Sequence, residues 1–304
     1  MKKVILSAIT ASLLLGTTGF AKEQANKDAT VKQVHQIAIN NATEDAKNRQ
    51  NKLVSEAIDS LKYAQDAYIS LNKKDAKKAT EDIEKAIGKL EVILAAKDAP
   101  QFLPINNRIK VQEFIGTSKD VEIAVNHVKD LLDEGKVQQA RALMLPLVSQ
   151  IDVTVISLPL VSYPDALKLA AKYIHDEKLD KAKEVLYIAL STFTEVTEII
   201  PIPLFESADL IAAASRVAKD DKEKALNYLN AASDALDVAE KLGYVSKSTT
   251  SYKVLHEEIK KVQKEIKGKN EAEKLFDALT EKLKDFKDKV FSEGSEKNKN
   301  VEKK

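Results

Sequence analysis

Several residue types that carry protein chemistry are absent from this 304-residue sequence or are rare in it. There is no cysteine and no tryptophan, and there are only 8 glycines and 7 prolines. The missing cysteine excludes disulfide bonds, thiol catalysis and cysteine-ligated zinc or iron–sulfur sites. The scarcity of glycine and proline excludes collagen-like and low-complexity chains, and it leaves little material for phosphate-binding glycine loops.

A large net charge of either sign is also missing, since the formal net charge is +1. The chain has 48 basic and 47 acidic side chains, so it lacks the basic excess that is typical of nucleic-acid-binding proteins. The abundant residues are alanine, lysine, glutamate and leucine, which favour helices. The composition therefore predicts a mainly α fold without nucleic acid as a partner.

The first 21 residues have the layout of a secretory signal peptide. Lys2 and Lys3 form a basic start, residues 4–20 are uncharged and mostly apolar, and Gly19 and Ala21 supply the small residues of a cleavage site. The alternative is an uncleaved membrane anchor, because the run has about the minimum length of a span. We expect cleavage, because glycines and threonines weaken the end of the run.

Export has consequences for the mature chain. No cysteine follows the apolar run, which excludes a lipid-anchored lipoprotein, and removal of two lysines leaves 46 basic and 47 acidic residues. The lysine-rich start indicates a bacterial signal and hence the periplasm, with no later stretch that resembles a membrane span. We expect residues 22–42 to form a polar N-terminal segment before a helical domain at residues 43–267.

Repeated antiparallel helical hairpins dominate that domain. Apolar residues recur at spacings of three or four along residues 53–71, and again along residues 79–90 after a polar break. A short charged turn followed by a small residue occurs four times, and the four small residues are Ala79, Ala140, Ala182 and Ala225. Small residues at these positions let two helices approach closely, as in helical repeat proteins.

The middle of the chain contains an internal duplication of about 43 residues. Val153-Thr154 is echoed by Val196-Thr197, and Leu158-Pro159-Leu160 is echoed by Ile202-Pro203-Leu204. Between the hairpins lie β-branched segments at residues 109–115, 151–157 and 195–200, and proline and β-branching both disfavour helix. The segments are either strands of one small β-sheet or ends of the preceding helices, and we favour the sheet.

The C-terminal region has a different character. A 3-4-3-4 apolar stripe follows Gly243, and a further amphipathic helix is predicted at residues 268–291, before a polar tail at residues 292–304 that we expect to be disordered. The stripe consists of Tyr252, Leu255, Ile259, Val262 and Ile266. We expect it to pack back on the body of the protein; pairing with another subunit in a homo-oligomer is the alternative.

Catalytic and metal-binding patterns are largely missing. The four histidines lack a partner histidine three or four residues away, so no helix presents a histidine pair to a metal. They are His35, His127, His175 and His256. We interpret them as surface or half-buried residues, with pH sensing as the alternative. A serine triad stays open because its members are dispersed in sequence, but we expect no enzyme, no metal and no cofactor.

The proline-containing connectors at residues 100–105, 158–164 and 201–205 supply the candidate binding surface. They combine proline with large apolar side chains, which either cap the core and stiffen the loops or form an apolar groove for a peptide, an unfolded chain or a drug-like molecule. The candidate residues are Phe102, Leu160, Tyr163, Leu204 and Phe205.

An ordered set of short motifs across residues 41–266 resembles the YfdX family of bacterial exported proteins. The motifs are the segments 140–143 (ARAL), 158–164 (LPLVSYP), 200–204 (IPIPL), 225–232 (ALNYLNAA), 239–244 (AEKLGY) and 252–253 (YK). The resemblance implies a mainly helical periplasmic protein associated with tolerance of acid, heat and antibiotics, with chaperone-like or small-molecule-binding roles. It implies no catalytic residues.

Two functional hypotheses follow from the residues and the resemblance. The first is a non-enzymatic periplasmic stress-response protein that binds client polypeptides or a protein partner in a chaperone-like manner. The second is a small-molecule-binding protein for an antibiotic or a metabolite, with one enclosed apolar pocket near the connectors.

Overall fold

The structure, a computed structural model, describes residues 27–246, 250–267 and 272–301. The predicted signal peptide and cleavage site lie outside the described residues. The described residues form eleven helices and three strands: α1 (Val31–Asn48), α2 (Ser55–Asn72), α3 (Ala76–Leu94), β1 (Phe102–Gln112), α4 (Ser118–Asp133), α5 (Val137–Met144), β2 (Gln150–Pro159), α6 (Tyr163–His175), α7 (Leu179–Ser191), β3 (Thr194–Pro201), α8 (Ile202–Val217), α9 (Lys222–Lys241), α10 (Thr250–Lys267) and α11 (Ala272–Val301). The prediction of a mainly α fold with one small sheet is therefore confirmed.

The element order reveals a threefold repeat of a strand followed by a helical hairpin. Strand β1 precedes α4 and α5, β2 precedes α6 and α7, and β3 precedes α8 and α9. The duplication predicted for the middle of the chain corresponds to the second and third of these repeats. The hairpin of α2 and α3 precedes the first repeat, and the hairpin of α10 and α11 follows the last.

The four alanines that mark the hairpins have equivalent places. Each is the fourth residue of the second helix of its hairpin, and each is fully buried: Ala79, Ala140, Ala182 and Ala225. A larger side chain there would have to push two packed helices apart, which costs about 1–3 kcal/mol in a close-packed core. The predicted role of these small residues, close approach of paired helices, agrees with this burial.

Three of the hairpin turns also share a backbone conformation. Lys74, Gly135 and Glu177 have φ values of 59°, 72° and 59° and lie five positions before the buried alanine. In each turn the residue at positive φ donates its N–H to a carbonyl three residues back, and the next residue donates to a carbonyl five residues back. This is the Schellman arrangement that ends a helix, and it favours glycine at the left-handed position.

The three strands form an antiparallel sheet with the order β1-β2-β3. The N–H of Leu160 donates to the carbonyl of Gln101, and the N–H of Ile202 donates to that of Ser149. The hydroxyls of Thr154 and Thr197 lie 2.9 Å apart. The β-branched segments are thus strands, as favoured from sequence, although β1 begins at Phe102 rather than at residue 109.

The chain divides into two compact units. In the described residues, unit 1 comprises residues 50–108 and 154–197, and unit 2 comprises residues 27–49, 109–153 and 198–301. Each strand therefore begins in one unit and ends in the other, and the first four hairpins belong to alternate units, whereas α10–α11 belongs to unit 2 like α8–α9 before it. Neither unit is continuous in sequence, which differs from the single continuous domain expected at residues 43–267.

Unit 1 contains the hairpins α2–α3 and α6–α7 and has one apolar core. Helix α2 packs on α3 and α7, and α3 packs on α6. The core includes Leu71, Ile83, Leu90, Leu158 and Leu167. On α3 the buried residues Ala79, Ile83, Ala86 and Leu90 recur at spacings of three and four, so burial of that face explains why this segment forms a helix of the hairpin.

Unit 2 contains the remaining helices, and α8 is its centre. Helix α8 packs on α1, α9 and α11 and is buried along most of its length. All five residues of the C-terminal stripe on α10 are buried in the core of this unit, as the expectation of packing back on the body predicts. The Tyr244 hydroxyl ties the end of α9 to β2 by accepting from the Ser149 N–H at 2.9 Å.

Both ends of the helical region differ from the sequence prediction. Helix α1 begins at Val31, twelve positions before the predicted domain, because the Thr30 side chain accepts from the Gln33 N–H and Gln33 bonds back to the Thr30 N–H in a capping box. Helix α11 continues to Val301, through most of the tail predicted to be disordered. None of the described helices has the length and apolar character needed to cross a membrane.

Candidate functional site

The predicted apolar surface is divided between the two units. Phe102, Leu160 and Tyr163 belong to unit 1, and Leu204 and Phe205 belong to unit 2. Phe102 is half-buried and the other four are buried, with Leu160 the most exposed of the four at 8%. Their burial agrees with the alternative that the connectors cap the core. Ligand binding by these residues stays a prediction.

A charged cluster, hereafter the Lys287 cluster, lies within unit 2; its side chains at Asp45, Arg49 and Glu198 are 23–32% exposed and the others are buried. Helix α1 and its C-cap residue supply three of its members, β3 and α8 supply three more, and α11 supplies Lys287. The members are Asn41, Asp45, Arg49, Glu198, Phe205, Asp209 and Lys287. Lys287 and Asp209 are only 5% and 6% exposed, which is rare for ionisable side chains. An amphipathic helix would normally place such groups in solvent, so their burial requires partners.

Direct contacts hold this cluster together. The Asn41 Nδ2 donates to Asp209 Oδ2 at 2.9 Å, and the Lys287 Nζ lies 3.4 Å from the centroid of the Phe205 ring, within the range of a cation–π contact. Arg49 bridges two carboxylates, with its Nε 2.6 Å from Asp45 Oδ2 and its Nη1 2.7 Å from Glu198 Oε1. The buried contacts join α1 with α8 and α8 with α11, and the partly exposed ion pairs of Arg49 join the end of α1 with β3.

Burial shifts the protonation of the two most enclosed groups in opposite directions. Loss of hydration raises the pKa of Asp209 to about 6, although the bond from Asn41 and the charges of Lys287 and Arg216 oppose the shift. Loss of hydration also lowers the pKa of Lys287 to about 8, opposed by the charges of Asp45 and Asp209. Near neutral pH both groups carry a charge, and each stabilises the charged form of the other.

A second ionic group in unit 2 surrounds His35. The imidazole Nε2 lies 2.7 Å from Glu113 Oε1, and Nδ1 lies 3.0 Å from Glu206 Oε1. The hydrogen bond with Glu206, followed by its charge and the contact with Glu113, raises the pKa of His35 to about 9 against the effect of burial. His35 is therefore a cation at neutral pH and connects α1 with α8 and the segment after β1.

A serine, a histidine and an aspartate also meet between α9 and α10. The Ser233 Oγ lies 3.1 Å from His256 Nδ1, and His256 Nε2 lies 3.3 Å from Asp237 Oδ1. The Tyr252 hydroxyl donates to the same Asp237 carboxylate at 2.6 Å. Ser233 lies inside a regular helix, where neighbouring backbone N–H groups already bond within the helix and do not offer an oxyanion site. The arrangement joins two helices and does not resemble a hydrolase centre.

The other two histidines have different surroundings. The His175 side chain is 91% exposed, and its Nδ1 lies 3.9 Å from the adjacent Asp176 carboxylate. His127 is exposed on α4. Within the described residues no group of three or more histidine and carboxylate side chains has the geometry to hold a metal ion. His35 and His256 contact side chains on other segments of the chain, and the sequence does not distinguish them from His127 and His175.

Helix α5 leaves most of its apolar side chains exposed. Of its eight residues only Ala140 is buried, and this helix packs on α4 with a small core of its own. Leu132 before the turn, Val137 on the helix, and Met144 and Leu145 at its end are 45–69% exposed. We call these four residues the α5 surface. Their proximity on one short hairpin makes them a candidate interaction surface, because contiguous apolar patches mark such surfaces.

Sequence reasoning missed both the α5 surface and the Lys287 cluster. The members of the cluster lie far apart in the chain, so spacing does not predict their contact. One signal was present: Asp209 is enclosed by apolar residues on both sides, and Lys287 lies four residues after Leu283 on the apolar face of its helix. A charge within an otherwise apolar face indicates either a buried partner or a functional group.

Comparisons with known proteins concern the family. The family model described as YfdX protein matches residues 60–199. Among solved structures, the chain is similar to one of Salmonella Typhi YfdX, with 15% identity and a TM-score of 0.35, over 49% of this chain and 93% of that chain. No curated protein matches this chain. The family match includes α5 and is narrower than the resemblance seen across residues 41–266, and α8 to α11 lie outside it.

Proposed function

Since residues 60–199 belong to the YfdX family, we propose that the protein is a non-enzymatic, periplasmic stress-response protein that binds unfolded client polypeptides in a chaperone-like manner. The observation that supports this function is the exposure of apolar side chains on α5. The signal-like sequence of residues 1–21 supports the periplasmic location. A second copy of the chain is a further candidate partner.

The α5 surface has the chemistry that client binding requires. Its aliphatic side chains offer a non-directional contact to any apolar segment, and Met144 is flexible enough to adapt to different shapes. The charged residues between them, such as Lys136 and Arg141, are exposed and keep the free surface soluble. Such a surface binds many sequences weakly, which suits a protein that protects unfolded chains.

The test is suppression of aggregation by the mature protein at low pH or high temperature. We expect an enzyme that unfolds under these conditions to remain in solution when the protein is present at stoichiometric ratio. Val137→Ser with Met144→Ser should weaken this effect. Each half-exposed side chain contributes on the order of 1 kcal/mol to binding, so loss of both weakens client affinity by roughly 30-fold.

A matched control lies on the same helix. Gln138 and Gln139 are exposed polar neighbours of the α5 surface, and Gln138→Ser with Gln139→Ser should leave the suppression unchanged. Equal loss in both double variants would contradict a role for the α5 surface, and absence of suppression by the unaltered protein would contradict the chaperone-like function. Saturable calorimetric binding of a small apolar molecule without any suppression would instead favour the small-molecule hypothesis.

A further inference from the structure

Helix α11 covers the core of unit 2 through an apolar face that includes one buried cation. Phe276, Leu279, Leu283 and Phe286 are buried in this core, and Lys287 is buried beside them. An entirely apolar face would cover the same core without removing an ammonium group from water. The lysine must therefore be explained by what it meets on α1 and α8.

The groups that receive this lysine form a cation slot: Asn41, Asp45, Phe205 and Asp209. The face of the Phe205 ring lies 3.4 Å from the ammonium nitrogen. The charges of Asp45 and Asp209 stabilise the ammonium form, and the charge of Arg49, which pairs with Asp45, opposes it. Asn41 orients the Asp209 carboxylate by its hydrogen bond. A π face and two carboxylates together are complementary to a primary ammonium group.

A buried charge of this kind contributes specificity more than stability. Removing an ammonium and a carboxylate from water opposes the closed state, and their mutual attraction repays that loss only in part. An apolar helix without a cation would leave the buried Asp209 with the charge of Arg216 but without that of Lys287, so the slot disfavours such a helix. Discrimination of this sort is what a binding site for helices needs.

We propose that the cation slot of unit 2 is a docking site for a basic amphipathic helix, and that α11 is the resident occupant, which a client helix of the same chemistry displaces. The inference rests on the proposed function only in taking the client to be a polypeptide. It adds a second site, on α1 and α8, to the α5 surface.

The register of α11 defines what a competing helix must carry. Measured from Leu279, apolar side chains recur at Leu283 and Phe286, and the cation follows directly at Lys287. The pattern places the three apolar groups on one face and the lysine at its edge, because residues three and four apart are neighbours on a helix. Clients with this spacing should compete, whereas clients with an acidic residue at the last position should not.

The absence of cysteine makes a direct experiment possible. Leu279→Cys introduces a single thiol at a fully buried position of α11. The rate at which a reagent modifies this thiol reports how often α11 dissociates from the core of unit 2. The probe ligand is a peptide with the sequence of residues 272–291, added to the full chain. We expect the peptide to accelerate modification of the thiol at least tenfold in a saturable manner, while the same peptide with Lys287→Glu has no effect.

A second experiment places the substitution in the full chain instead of in the peptide. Lys287→Glu in the full chain places a third carboxylate in the slot and disfavours the resident helix, so the unaltered peptide should bind this chain at least tenfold more tightly than it binds the wild-type chain. Lys287→Gln, a neutral residue of similar shape, should give a smaller gain and serves where the glutamate variant fails to fold. A single thiol at Ala64→Cys in unit 1 is the reference, and the peptide should not change its modification rate.

Equal effects of the lysine and glutamate peptides would overturn the proposal, because burial of apolar surface alone would then explain the seating of α11. No acceleration at millimolar peptide would also overturn it, since the resident helix competes at an effective concentration of that order. The two proposed sites can fail separately. If the peptide displaces α11 and the double variant Val137→Ser with Met144→Ser still suppresses aggregation, client binding by the α5 surface is contradicted and docking at the cation slot is supported. If the wild-type chain suppresses aggregation but the peptide does not displace α11, docking at the cation slot is contradicted and client binding by the α5 surface is unaffected.

Discussion

Individual ionisable residues in unit 2 determine how its stability depends on pH. The folded-state pKa values of Asp209 and His35 lie above their ordinary values of 3.8 and 6.5, so folding strengthens proton binding at both groups. Their contributions to stability are greatest at low pH and are lost as the pH rises through about 6 and about 9. Lys287 has the opposite sign, because its contribution is present above 10.5 and is lost as the pH falls through about 8.

The first prediction concerns Asp209. Between pH 7 and pH 5 its protonation should raise the free energy of unfolding by about 1 kcal/mol, given a pKa near 6 in the folded state and 3.8 in the unfolded state. Asp209→Asn should abolish this increment, because the amide does not titrate. Denaturant titrations at the two pH values measure it, and Asp165→Asn, an exposed position on α6, is the control. An unchanged pH dependence in Asp209→Asn would show that other groups cause it.

The second prediction concerns His35 and its two glutamates. Its elevated pKa of about 9 arises first from Glu206 and less from Glu113. Glu206→Gln should therefore lower the pKa of His35 further than Glu113→Gln does, since each change removes one negative charge and weakens one hydrogen bond. Imidazole resonances followed by NMR titration give both values directly. A larger decrease with Glu113→Gln would reverse this order of importance.

At the scale of the element, the hairpin turn is the recurring unit of this fold. The same turn conformation and the same buried alanine occur in hairpins whose charged residues otherwise differ, so backbone geometry and close helix packing define the repeat. Gly135 occupies the left-handed position in one turn, while Lys74 and Glu177 occupy it in two others. A side chain with a Cβ is strained at that position, whereas glycine is not.

The third prediction follows from this strain. Lys74→Gly should stabilise unit 1 by about 0.5–1 kcal/mol, because relief of the left-handed strain exceeds the added entropy of the unfolded chain. Lys73→Gly is the matched control: its φ is −86°, so glycine gains nothing there and should destabilise the helix end. Thermal unfolding of the two variants compares them. Equal destabilisation by both would indicate that the Lys74 side chain contributes more than its backbone strain removes.

The elements were predictable from sequence to the extent that they depend on local patterns. Apolar periodicity and the alanine repeat predict the hairpins, and β-branching with proline predicts the strands. The start of α1 was missed because its first turns are polar, and its capping box at Thr30 and Gln33 contains glutamine rather than glutamate. The Lys287 cluster was not predictable, since contacts such as Asn41 with Asp209 join distant segments that no spacing rule connects.

At the scale of the whole molecule, the two units are interleaved along the chain. The family-matched region, residues 60–199, contains most of unit 1 but only the middle segment of unit 2. In the full chain Ile151 and Val153 of that segment pack with Ala38 and Ala42 of α1 and with Phe205 of α8. A fragment that stops near the family boundary therefore lacks partners for these buried side chains.

The fourth prediction tests this interleaving. A fragment of residues 50–201 should retain a cooperative thermal transition from unit 1 but bind an apolar fluorescent dye more strongly than the full chain does. Ile151→Ser with Val153→Ser in the fragment should reduce that dye binding, because these side chains are the exposed apolar groups. Dye binding no stronger than that of the full chain would mean that the middle segment finds partners within the fragment.

The interleaved path of the chain also constrains the time at which the protein can fold during synthesis. Helix α1 is among the first elements to leave the ribosome, yet its apolar residues pack with β2, β3 and α8, which are translated much later. Until then the apolar face of α1 faces water or must be held by another protein. The same order applies to a chain that crosses a membrane from its N-terminus, so a pause in export after β3 would prolong this exposure and should increase aggregation of the unfinished chain.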